Sequence, residues 1–169
     1  MTTDIKIDTI TQGNWEAYRD IRLASLQDAP EAYCSTYERE AAFTENEWKA
    51  RLLPMGDTLH ILPIMAKYKD LNAGVASIVI DKKTPNKATI YQMWVSPDCR
   101  GQGVGQALMR YMISWAKEQQ LTQLELAVTT TNLAAISLYK SIGFIDFGKQ
   151  EPLRDDPPLF IQSMRLELN

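Results

Sequence analysis

The chain has 169 residues, 45% of them hydrophobic and 23% charged, with a formal net charge of −3. That balance fits one globular domain spanning residues 1–169, with a full hydrophobic core, and excludes a disordered chain. The mild acidity argues against a nucleic-acid face, which needs a basic stripe, and accommodates a cationic partner more easily.

Ile5 and Ile7 alternate with polar residues as a first strand, and Trp15, Tyr18, Ile21 or Arg22, and Leu26 then recur at helical spacing up to Asp28-Ala29-Pro30. Thr44-Glu45-Asn46-Glu47 is a capping-box pattern that opens a second helix through Leu53, ended by Pro54. Three β-like runs follow, near Leu59 to Tyr68, Ala73 to Asp81 and Ala88 to Val95, joined by turns short enough for antiparallel hairpins. After a glycine-rich loop, Val104, Leu108, Met112 and Trp115 form the buried stripe of a helix running from near Gly103 to near Gln120. Leu124, Leu126 and Val128 alternate as a fifth strand, and Asn132 to Ile142 reads as a short helix closed by Gly143. Phe144 to Lys149 and Ile161 to Leu168 are the final strands, with Pro152 to Pro158 between them as a flanking loop or a hairpin connector. The order predicts an α+β fold, a mixed sheet with helices on its faces.

No segment has the length of a signal peptide's apolar core or approaches the ~20 apolar residues of a membrane helix, so a soluble, cytoplasmic protein without a membrane partner is expected. Cys34 and Cys99 lie far apart without metal spacing and His60 is the only histidine, which argues against a metal site and against a Ser-His-Asp triad. Cys99 borders the glycine loop, where a small buried hydrophobe is the ordinary reading and a reactive thiol the other.

The most informative segment is Arg100-Gly101-Gln102-Gly103-Val104-Gly105, between a strand ending and a helix beginning. Such a break leaves backbone N–H groups unpaired around one spot, and the glycines let a ligand approach them; an anion such as a pyrophosphate belongs there, with Arg100 as a cation at the rim. A plain connecting turn is the simpler alternative. Downstream, Asn132 and Tyr139 are two helical turns apart and share a face, about 10 Å apart along the axis. One elongated ligand can touch both, although an N-cap and a core aromatic would also explain them.

Together these stretches resemble the Gcn5-related N-acetyltransferase (GNAT) superfamily. Its pyrophosphate signature (Arg/Gln)-x-x-Gly-x-(Gly/Ala) matches Arg100, Gly103 and Gly105, and its later pattern Asn-x-x-Ala-x-x-Leu-Tyr-x-x-x-Gly-Phe matches Asn132, Ala135, Leu138, Tyr139, Gly143 and Phe144. The resemblance implies a mostly antiparallel twisted sheet, splayed between its fourth and fifth strands and flanked by helices. It implies an enzyme that moves an acetyl group from acetyl-CoA to a primary amine by direct attack. In that scheme backbone groups at Met93, Trp94 and Val95 hold the pantetheine, and Arg100, Gly101, Gln102, Gly103, Val104, Gly105 and Gln106 hold the pyrophosphate. Asn132 and Ala135 flank the cofactor, and Tyr139 is the acid that protonates the departing thiolate.

The base is open. Some relatives carry a glutamate at the position of Ala127; Glu125, on the same strand face, is the candidate here, with Glu38, Glu40, Tyr91 or a water chain as others. The acidic, aromatic segment Asp28 to Glu47, with Tyr33, Tyr37 and Phe43, lies where relatives flank the acceptor entrance and points to a cationic amine such as a polyamine, an aminoglycoside or a peptide amine. The same run also reads as a solvated helix face.

A dinucleotide-binding oxidoreductase is disfavoured because Gln106 stands where its fingerprint needs a third glycine or alanine. A non-catalytic acyl-CoA-binding or sensing domain is the alternative to an enzyme. Both a monomer and a homodimer are compatible with the sequence.

Overall fold

The computed structural model describes residues 4–54, 56–155 and 158–169. Seven strands form one sheet in the order β1-β2-β3-β4-β5-β7-β6, antiparallel throughout except for the parallel pair β4 and β5. The strands are β1 (Ile5–Thr9), β2 (Leu59–Tyr68), β3 (Leu71–Asp81), β4 (Lys87–Val95), β5 (Gln123–Thr129), β6 (Ile145–Asp155) and β7 (Pro158–Glu167). The helices are α1 (Trp15–Asp28), α2 (Tyr37–Ala41), α3 (Glu45–Ala50), α4 (Val104–Glu118) and α5 (Leu133–Ile142). The expected α+β fold is present.

The sheet has an apolar cluster on each face. Under α4 and α5, Ile64, Ile78, Leu108, Met109, Met112, Leu124, Phe144 and Met164 are buried together. Under α1 and α3, Ile10, Tyr18, Ile21, Trp48, Leu52, Met65, Val75 and Trp94 form the second cluster. Fully burying one such aliphatic side chain contributes roughly 1.5–3 kcal/mol, so both layers are held mainly by these contacts. On α4 the buried stripe is Val104, Leu108, Met109, Met112 and Ala116. Trp115, expected on that stripe, lies at its edge, half-buried and edge-on to His60 with ring centroids 5.3 Å apart.

Two features of β4 shape the site. Val75 pairs with Trp94 but Ser77 pairs with Tyr91, so β4 carries one extra residue, a bulge at Gln92 and Met93. Gln92 sits at φ 58°, a left-handed conformation without glycine's freedom. Beyond the bulge β4 leaves its parallel neighbour: pairing runs only from Lys87↔Gln123 to Ile90↔Leu126, while β4 continues to Val95 and β5 to Thr129. The two ends splay, as the family resemblance implies.

Three local expectations need correction. The N-cap half of the capping box forms, with Thr44 Oγ1 accepting from Glu47 N at 3.2 Å, but α3 ends at Ala50 rather than Leu53. A helix missed in the sequence, α2, precedes it, capped by Thr36 accepting from Arg39 N. The last two strands are longer than expected, since Pro152 to Asp155 and Pro158 belong to them. Irregular pairing between Phe147 and Glu151 and between Pro152 and Arg154 lets the edge strand β6 absorb Gly148, at φ 69°, and Pro152. Asp156 and Pro157 lie outside the described residues.

Candidate functional site

The diverging ends of β4 and β5 open a cleft of about 680 Å³. One wall is the end of β4, with Met93, Trp94 and Val95; the next is the glycine loop and the start of α4, with Arg100, Gly101, Gly103, Val104, Gly105 and Gln106. Thr129 of β5 and Asn132, Ala135, Leu138 and Tyr139 of the α5 segment face them, and Asp28, Glu31 and Tyr33 close the side nearest α1. Of the residues expected to bind cofactor, only Gln102 does not line this cleft. Its Oε1 accepts from the Tyr68 hydroxyl at 3.3 Å instead.

The loop is built for an anion. Gly101 (φ 77°) and Gly103 (φ 89°) are left-handed, and Gly103 is the N-cap of α4 without any side-chain cap, so the first-turn N–H groups of a 15-residue helix stay free at the cleft mouth. A Cβ on Gly105 would stand 3.0 Å from Leu138 Cδ2, so this glycine lets α4 and α5 approach across the mouth. These uncapped amides and missing Cβ atoms fit a diphosphate such as that of coenzyme A.

Arg100, expected as a cation at the rim, lines the cleft with its guanidinium engaged by the protein. Its Nε donates to the Val95 carbonyl at 3.0 Å and its Nη2 to Asp28 Oδ2 at 2.7 Å, where Trp94 Nε1 also donates at 2.9 Å. Partial burial raises the Asp28 pKa, but the hydrogen bonds from Trp94 and Arg100 outweigh it and hold the carboxyl below its ordinary range. The result is a staple joining the end of α1, the end of β4 and the glycine loop.

Asn132 is an N-cap that also sits in the cleft wall, its Oδ1 capping α5 by accepting from Ala135 N at 3.2 Å. Tyr139 is buried yet faces the cleft, and burial first, then the neighbouring Tyr33 phenol, pushes its pKa well above the ordinary phenol value. It is therefore a fully protonated donor at neutral pH.

The base candidates are not brought to the cleft. Glu125 pairs with Lys87 Nζ at 3.3 Å and is not among the cleft residues. Glu40 is fully buried between α1, α2 and α3, bonded to Arg22 at 2.9 and 3.0 Å and to Arg51 at 2.6 Å. Burial raises its pKa, but hydrogen bonds from Arg22, Ser35 and Arg51 bring it down to about 2, so it serves as a structural carboxylate. Tyr91 and Glu38 are exposed, and neither lines the cleft. Neither Thr129 nor the bulge at Gln92 has a signature in the sequence, and Tyr33 stands out there only as part of a general aromatic rim.

Residues 15–144 match the Acetyltransferase (GNAT) family model. The chain belongs to this family. Among GNAT relatives, the [ribosomal protein bS18]-alanine N-acetyltransferase of Escherichia coli K12 is 36% identical over 73 residues, 43% of this chain and 49% of that protein. The match thus spans about half the length of that relative. In fold, a GNAT-family acetyltransferase from Streptococcus pneumoniae superposes with a TM-score of 0.82 at 19% identity, over 98% of this chain and 99% of that one. A Salmonella typhimurium protein solved with its cofactor acetyl-CoA superposes with a TM-score of 0.75 at 18% identity, over 99% and 95% of the two chains.

Proposed function

We propose that this GNAT chain is a cytoplasmic enzyme, acting as one domain over residues 1–169, that transfers the acetyl group of acetyl-CoA to a primary amine by direct attack in a ternary complex. The observation that carries this reading is the convergence on one cleft of an uncapped, glycine-started helix, a splayed strand edge and a buried, protonated Tyr139. When bound, acetyl-CoA supplies an acyl carbon activated as a thioester.

The rest of the chemistry falls to the chain. Amides from Gly101 to Gln106 take the diphosphate, and the freed edge of β4 from Met93 to Val95 hydrogen-bonds the pantetheine as an added strand. A main-chain N–H at the end of β4 would polarise the carbonyl oxygen as negative charge develops on it. As the amine nitrogen bonds to the acyl carbon and the C–S bond breaks, Tyr139 Oη holds a proton for the departing sulfur. A thiol titrates near ~8.5, so a thiolate is a good acceptor of that hydrogen bond.

Among the described residues, the carboxylates of the cleft are Asp28, bonded to Trp94 and Arg100, and Glu31, exposed at the rim. The amine proton accordingly leaves through water, and Glu31 favours a cationic acceptor at the entrance. A peptide N-terminus suits this arrangement, in line with the named reaction of the Escherichia coli relative, which acts on an alanine of a ribosomal protein. The unpaired Cys34, which is exposed, and Cys99, which is buried, suit a reducing compartment.

Among the described residues the cleft carboxylates are one engaged by Trp94 and Arg100 and one exposed at the rim, which favours one second reading, an acyl-CoA-binding domain without turnover. Incubation with acetyl-CoA and a panel of an alanyl peptide, spermidine and an aminoglycoside separates the two. An enzyme releases free thiol in proportion to amine. A binder gains thermal stability with coenzyme A and releases none.

A further inference from the structure

Tyr33, in the connection between α1 and α2, is held more firmly than packing of a loop requires. From behind, the Arg22 guanidinium sits 4.6 Å from its ring centroid, itself buried and doubly bonded to Glu40. From β6, Arg154 Nη2 donates to the Pro30 carbonyl at 2.8 Å and to the Tyr33 carbonyl at 3.0 Å, tying this loop to the final hairpin. From β4, the carbonyl of Met93, at the bulge, receives the Tyr33 hydroxyl at 3.5 Å. Three elements therefore fix one residue in the cleft wall, two through its side chain and one through its main chain, close enough to Tyr139 to influence its titration.

The ring explains the packing, but a phenylalanine would supply the same ring. The hydroxyl is the part that needs an account. Tyr33 is only 9% exposed, and its one geometrically defined hydrogen bond is at the long limit. A hydroxyl offers two lone pairs besides its proton, and leaving them unused in a buried place is costly. Burial pushes the phenol up to about 12, against a hydrogen bond to Ser25 and the Arg22 charge, so it stays protonated at neutral pH. Its proton goes to the Met93 carbonyl, and lone-pair capacity remains for a donor in the cleft.

We infer that Tyr33 positions the acceptor, its phenolic oxygen accepting one N–H of the incoming primary amine so that the nitrogen lone pair faces the acyl carbon. This rests on the acetyl-transfer reading above. A primary amine has one N–H to give to Tyr33 and another to lose on acylation, whereas a secondary amine cannot do both. Tyr33 thus favours primary over secondary amines, and Arg22 and Arg154 act through it.

The test compares the unsubstituted protein with Tyr33→Phe and Arg154→Met, using acetyl-CoA with an alanyl peptide and with spermidine. For Tyr33→Phe, kcat/KM for the better amine falls about tenfold or more, the loss expected of one hydrogen bond to the reacting group. The KM for acetyl-CoA and the slow amine-independent release of thiol stay within about twofold. Arg154→Met, outside the cleft walls, gives a smaller loss with the same split between amine and acetyl-CoA. An unchanged kcat/KM for the amine, or an equal fall in amine transfer, acetyl-CoA KM and amine-independent release, overturns the role of Tyr33 while leaving acetyl transfer intact. No amine-dependent release from the unsubstituted protein overturns acetyl transfer itself, and this inference with it.

Discussion

Tyr139 and Gly105 illustrate how differently single residues serve the same cleft. Tyr139 offers the cleft a proton donor: the side chain faces it, and burial keeps the phenol protonated. Tyr139→Phe should lower turnover by about 10²-fold while leaving the coenzyme A dissociation constant within about twofold, measured by steady-state kinetics beside calorimetric titration. Gly105 contributes room, and the nearest atom to an added Cβ, Leu138 Cδ2 at 3.0 Å, is the end of a side chain on a neighbouring helix. Gly105→Val should force α4 and α5 apart at the mouth and weaken coenzyme A binding about tenfold or more, read by the same titration. Both residues were legible in the sequence because each sits in a spaced pattern whose chemistry is local. Tyr33 was not, since its place depends on Arg22, Arg154 and Met93, which only the fold brings together.

At the scale of elements, the strands and long helices followed from alternation and helical spacing, and the glycine break marked where β4 hands over to α4. The bulge in β4 escaped notice because the left-handed residue is Gln92, whose side chain accepts from the Tyr18 hydroxyl at 2.8 Å, rather than a glycine that would have flagged it. The short helix α2 escaped because five residues are too few to show a period. Its anchor is Glu40, which binds Arg22 of α1 and Arg51 following α3, so one carboxylate joins three helices beneath the loop that carries Tyr33. Removing one partner of a buried ionic cluster leaves the others unpaired, at a cost of about 3–5 kcal/mol. Glu40→Gln should destabilise the fold by that order in urea unfolding, whereas Glu45→Gln, whose exposed pair with Lys49 lies on the same helix as Trp48, should change it by less than about 0.5 kcal/mol.

For the whole molecule, the same carboxylate sets an acid limit. Glu40 titrates at about 2 in the folded chain and near ~4.3 when unfolded, so between these values the unfolded chain binds more protons and stability rises with pH. The stabilisation is fully present above about pH 5, is lost as the pH falls from there toward 2, and amounts to about 3 kcal/mol. Urea midpoints should therefore drop steeply over that range, and the Glu40→Gln variant should show a shallower slope. Among the described residues no helix is long and apolar enough to cross a membrane, and the sheet is covered by helices where its two core clusters lie. The molecule is a scaffold that holds the ends of β4 and β5 apart, and the proposed function rests on the cleft between them.

Calorimetric titration of the purified chain with acetyl-CoA at modest ionic strength tests that claim most directly. Saturable binding of one acetyl-CoA per chain is expected, abolished or weakened by Gly105→Val and retained by Tyr139→Phe. No heat of binding up to millimolar acetyl-CoA, or binding indifferent to Gly105→Val, would contradict it.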